Sequence, residues 1–106
     1  MSDCCIVTTT SDKRDSLEAI AKKLIELRLA ACCQISGPVE SHYRWEGKVE
    51  SAEEWICTAK TTTARLEEVI SQIKSLHHYD EPEIIATPIV GGSDGYLNWI
   101  REQVGS

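Results

Sequence analysis

The feature that most constrains this chain is a pair of long, β-prone arms folded about Glu46-Gly47-Lys48. Ala31 to Ile35 opens a strand. Gly37-Pro38 bends it, and Val39 to Trp45 resumes it. Val49 to Thr61 runs back, carrying Trp55, Ile56, Cys57 and Ala59. Gly47 supplies the positive φ that a tight hairpin needs. Both arms exceed the usual strand of about five or six residues. A hairpin of that length projects past a 106-residue domain. Its Tyr43 and Trp45 then need a cover, which points to another subunit.

The rest of the chain alternates strand and helix. Cys4 to Thr10 is rich in β-branched residues and reads as a strand. Ser11 is placed to cap a helix, with Asp12 and Asp15 in its first turn complementing the dipole. Leu17, Ile20, Ala21, Leu24 and Leu27 or Arg28 follow helical spacing and mark one buried stripe. Glu18 precedes Lys22 by four residues, the favourable order for a surface pair. Thr62 or Thr63 caps a second helix, whose stripe is Leu66, Val69, Ile70, Ile73 and Leu76. His77-His78-Tyr79-Asp80-Glu81-Pro82 breaks that helix. Glu83 to Val90 reads as a strand, with Pro88 fitting an edge position. Gly91 to Gly95 reads as a loop without the spacing of a phosphate-binding fingerprint. Tyr96 to Val104 reads as a short last helix with Leu97, Ile100 and Val104 on one side.

The order is therefore β-α-β-β-α-β-α. The expected class is α+β: a ferredoxin-like antiparallel sheet with helices on one face and right-handed crossovers. No linker, repeat or low-complexity tract divides residues 1–106, so one domain is expected.

Charge and composition exclude several classes. Seventeen acidic against eleven basic side chains give a net charge of −6. A nucleic-acid binder needs a basic face to displace counterions, and no run of Lys and Arg supplies one. No apolar stretch reaches the roughly 18–20 residues of a membrane span, so no membrane insertion is expected. Met1 to Cys5 carries neither a basic nor a long apolar region of a secretory signal, and a cytoplasmic protein is expected.

Five cysteines stand at Cys4, Cys5, Cys32, Cys33 and Cys57. An odd count with two adjacent pairs does not suit a disulfide framework; reduced, buried thiols do. If Cys4-Cys5 and Cys32-Cys33 lie on strands, neighbours point to opposite faces, so neither pair chelates one ion locally. A thiol site would have to join cysteines from different strands.

Several motifs then occur in order: Arg28-Leu29-Ala30-Ala31-Cys32, Ser41-x-Tyr43-x-Trp45-Glu46-Gly47-Lys48, Lys60-Thr61, His77-x-Tyr79-x-x-Pro82-Glu83 and Tyr96-Leu97-x-Trp99. Together they resemble the CutA-type divalent-cation tolerance proteins, from the first strand to the last helix. The resemblance implies a ferredoxin-like protomer, a homotrimer and a role tied to copper or other divalent cations. That family resembles the nitrogen-regulatory P-II trimers in fold. A P-II-like trimer holding a small anionic metabolite in inter-subunit clefts is thus the second reading. Where some relatives carry a cysteine near the end of strand one, this chain has Thr8, a poor ligand for soft copper(I).

Topology places a candidate site without the family. In an antiparallel sheet of this order, the end of strand one, the start of helix one, the end of helix two and the start of strand four share one edge. That edge gathers Thr8 to Asp12 and His77 to Glu81. His77 and His78 are the expected metal ligands, since neutral imidazole suits Cu(II), Ni(II) and Zn(II). Tyr43, Trp45, Trp55 and Trp99 are the expected subunit-interface anchors. Glu50, Glu53 and Glu54 read as a solvated charged strand face, and Lys60 as a solvated cap. No Ser-His-Asp or Cys-His arrangement is suggested, so no enzymatic activity is expected.

Overall fold

The computed structural model describes residues 3–105. Its elements are β1 (Cys4–Ser11), α1 (Arg14–Glu26), β2 (Cys32–Trp45), β3 (Lys48–Thr62), a 3₁₀ turn (Thr63–Arg65), α2 (Leu66–Leu76), β4 (Ile84–Pro88) and α3 (Asp94–Gln103). The strands pair antiparallel in the order β2-β3-β1-β4, the ferredoxin-like arrangement. Pro88 lies at the end of an edge strand, where its missing N–H leaves no gap in the ladder. Among the described residues, no helix is long and apolar enough to cross a membrane.

Strand alternation sorts the side chains into two cores. Val7, Cys57 and Ala59 face Leu17, Ile20 and Leu24 of α1 and Val69 and Ile73 of α2. Residues of the opposite parity face the other way. There Cys4 packs with Leu97, Ile100 and Val104, so α3 lies on the sheet face away from α1 and α2.

The end of α3 is tied down by residues from distant parts of the chain. Arg28 sits in the left-handed region at φ 57. Its Nε donates to the Gln103 carbonyl at 3.1 Å and its Nη2 to that of Glu102 at 2.8 Å. The Arg65 guanidinium donates to the Gly105 carbonyl at 2.6 Å. Two cations thus meet the carbonyl end of a helix, where its dipole is negative.

The hairpin follows from local stereochemistry. Trp45 pairs with Lys48, and both intervening residues have positive φ, 48 at Glu46 and 78 at Gly47. Positive φ at both central residues is the I′ geometry whose twist matches the strands. Nearer the body, the β2–β3 register shifts between Ser36 and Val39, next to a cis Gly37-Pro38 bond. Gly37 has φ 135, and a Cβ there would stand 3.0 Å from Trp55 Cδ1 and 3.1 Å from the Glu54 carbonyl. Only glycine fits. Beyond this bulge the arm stretches the molecule to 44 × 25 × 22 Å. Tyr43, Trp45 and Val49 remain exposed along it.

All three helix starts differ from the sequence reading, which put Thr62 or Thr63 at the cap of the second helix: α2 begins at Leu66 after the 3₁₀ turn, with Arg65 at its N-cap and no side-chain cap bond. Ser11 is the last residue of β1, and its Oγ accepts from the Lys13 N–H at 3.0 Å, so the α1 N-cap position falls to Lys13. The last helix begins at Asp94, two residues earlier than expected, because Ser93 caps it through the Tyr96 N–H. The pair on α1 joins Arg14 to Glu18.

Candidate functional site

The edge expected from topology is assembled. Thr9 of β1 pairs with Ile84 of β4, and the α2–β4 loop lies beside the β1–α1 loop. His77 is buried at the end of α2. Its Nε2 lies 2.7 Å from the Thr10 carbonyl, and its Nδ1 accepts from the Tyr79 N–H at 3.1 Å. These partners require the tautomer with hydrogen on Nε2. His77 was expected as a metal ligand, but both ring nitrogens are committed to backbone groups. Any ion held there would have to break one of those bonds.

His78 is more accessible. Its Nε2 meets Asp12 Oδ1 at 2.8 Å, and its ring stacks on His77 at 5.3 Å between centroids. Among the described residues, no three His, Cys, Asp or Glu side chains converge as a metal site. The residues at this edge therefore do not fit a preformed multidentate centre.

Tyr79 is the joint of the edge. Its hydroxyl donates to Glu54 Oε2 and accepts from the Asp12 N–H, each at 2.9 Å. Burial, and then the Glu54 carboxylate, push the phenol's pKa well above its ordinary value. Glu54 corrects the sequence reading: it is 8% exposed rather than part of a solvated face. The available signal was adjacency. Glu53 and Glu54 follow each other on a strand, so one of them has to face inward.

This joint floors a cleft of about 660 Å³. One wall is the hairpin, through Ser41, His42, Tyr43 and Trp45; the other is the α2–β4 loop, through Asp80, Glu81, Pro82 and Glu83. The lining carries four carboxylates, those of Glu54, Asp80, Glu81 and Glu83, and neither lysine nor arginine. Such a cleft has a negative potential that draws cations and repels anions.

The four expected interface residues separate. Tyr43 and Trp45 flank the cleft on the arm, and Trp99 lies on α3 with its ring 5.5 Å from that of Tyr96. Trp55 instead packs in part against its own protomer's core, beside Gly37. Lys60 also corrects the reading, since its ammonium donates to Gln34 Oε1 at 3.0 Å and to the Tyr96 hydroxyl at 3.2 Å.

The family model described as CutA1 divalent ion tolerance protein matches residues 5–103. The divalent-cation tolerance protein CutA of Thermus thermophilus is 40% identical over 105 residues, which is 99% of this chain and 100% of that protein. Protein CutA, chloroplastic, of Arabidopsis thaliana is 41% identical over 91% of this chain. The match takes in 53% of that relative, so the chain spans about half its length. The crystal structure of CutA from Xylella fastidiosa superposes with a TM-score of 0.95 at 34% identity, covering 98% of this chain and 100% of that one. With matches running from β1 to the end of α3, the chain belongs to the CutA1 divalent ion tolerance family.

Proposed function

We propose that this chain serves divalent-cation tolerance as a homotrimer that concentrates copper-type divalent ions in its acidic clefts. The observation that carries the reading is the cleft walled by the Tyr43–Trp45 arm, with four carboxylates and neither lysine nor arginine in its lining. Cations would be drawn there by field and bound weakly, with His78 and Asp12 at the neighbouring edge. Tyr43, Trp45 and Trp99 are offered as the subunit anchors, because they leave large apolar rings exposed. Threefold assembly is what the family resemblance implies. The second reading, an anionic metabolite in the same cleft, runs against its charge. Five free cysteines suit a reducing compartment, and we assign the cytoplasm on that ground.

Two measurements test this. Light scattering should return a mass near three times 11.8 kDa, and a single-protomer mass would sink the assembly. A thermal-shift panel of Cu(II), Zn(II), Ni(II) and common anionic metabolites should show stabilisation by metals, growing as RT ln(1 + [L]/Kd). Shifts with metabolites alone would transfer the chain to the second reading.

A further inference from the structure

We propose that Cys33 and Cys57 form a two-coordinate site for a soft monovalent d¹⁰ cation such as Cu(I) or Ag(I), between the sheet and α1 and separate from the acidic cleft. Strand register places the pair. Ile35 stands opposite Cys57 and Cys33 opposite Ala59, so the two thiols are diagonal neighbours on one face of β2–β3. Both belong to the helix-facing core: Cys57 is buried within it, and Cys33 packs against it from the partly open edge.

The two thiols influence each other's ionisation. Cys33 favours the thiolate at Cys57, against the opposing effect of burial, and Cys57 holds the proton on Cys33. A metal–thiolate bond is about 2.3 Å long for Zn(II). Diagonal neighbours on paired strands stand about 7–8 Å apart, a gap that two Cβ–Sγ bonds and a linear S–metal–S unit together can span.

The other cysteines are placed elsewhere. Cys32 points to the opposite face by alternation. Cys5 pairs with Thr61, four residues along β3 from Cys57. The pair is thus a two-sulfur site, which suits a digonal soft ion. Zn(II) asks for four ligands, and among the described residues no third His, Cys, Asp or Glu completes a set. Hard cations prefer oxygen.

Access runs through Cys33. It opens on a shallow cleft of about 340 Å³ that is otherwise lined by Ala21, Lys22, Ile25 and Glu26 of α1. Binding exchanges two S–H bonds for two S–metal bonds and releases two protons to solvent. No oxidation state changes. The product carries one net negative charge, in a cleft whose lining holds both Lys22 and Glu26.

The test uses the reduced full chain, titrated anaerobically with Ag(I), and with Cu(I) under chelator competition. One tight equivalent per chain is expected to survive in Cys32→Ser and to weaken at least 100-fold in Cys33→Ser and Cys57→Ser. X-ray absorption of the one-to-one Ag(I) complex of the unmodified chain should show two sulfur neighbours, and bound Ag(I) should slow alkylation of Cys33 at least tenfold. Cys33 lies at a half-open edge position, so Cys33→Ser and the absorption spectrum decide the matter even if Cys57→Ser does not fold. Full-strength binding by Cys33→Ser, or an absorption shell of nitrogen or oxygen, would overturn the site.

Discussion

The Tyr79 hydroxyl donates to the Glu54 carboxylate at 2.9 Å, and this bond joins the α2–β4 loop to the root of the hairpin. The same oxygen accepts from the Asp12 N–H, so three separate segments meet on one atom. Tyr79→Phe removes that atom and leaves a buried carboxylate short of a donor. A loss of about 1–3 kcal/mol is expected by chemical denaturation.

The same phenol sets an alkaline limit. In the unfolded chain it ionises near 10.0, whereas in the fold burial and Glu54 keep it protonated to higher pH. A raised pKa means that the folded state holds the proton more tightly. This contribution is therefore intact below pH 10 and is lost as pH rises beyond it toward the folded value. Stability profiles of the parent and Tyr79→Phe should converge above pH 10; parallel profiles would contradict the assignment.

His77→Ala is expected to act on stability rather than on metal uptake. It strips partners from the Thr10 carbonyl and the Tyr79 N–H. A loss of about 1–3 kcal/mol follows, while calorimetric titration with Cu(II) should keep its stoichiometry. A lost equivalent in a folded variant would return His77 to the role of ligand.

Thr9 should tolerate a change in the other direction. Its Oγ1 is the buried side-chain oxygen left without a hydrogen-bond partner among the described residues. Thr9→Val keeps the shape and removes the orphan. A gain of about 1 kcal/mol is expected in urea denaturation, and a clear loss would reveal a partner.

Trp45→Asp tests the arm. The ring is 56% exposed in the single chain, so the protomer's own fold loses little by the change. If the ring lies at a subunit seam, a buried charge there should shift the light-scattering mass toward smaller species at micromolar concentration. An unchanged mass would take Trp45 out of the seam.

Apolar spacing made the buried stripe of α2 legible, with Val69 and Ile73 on it, but not its start, because Thr62 precedes a 3₁₀ turn and the helix begins only at Leu66. The shared edge was also legible, since element order alone puts Thr10 beside His77. The bonds on that edge were not. Which of the adjacent Glu53 and Glu54 reaches Tyr79 depends on the β1–β3 register that sets Trp55 opposite Ser11, and side-chain periodicity alone does not give that register. Ser11 was misread for a related reason: its hydroxyl can serve either a helix start or a turn, and β1 continued one residue into the position.

The bulge at Gly37 carries one more consequence. It lies at the foot of the arm, opposite the Glu54–Tyr79 joint, so the protruding ribbon is pinned where it leaves the body. Such a spoke keeps its aim instead of sweeping through solvent. A neighbour approaching it meets one fixed contour, and less orientational freedom remains to be surrendered at the moment of docking.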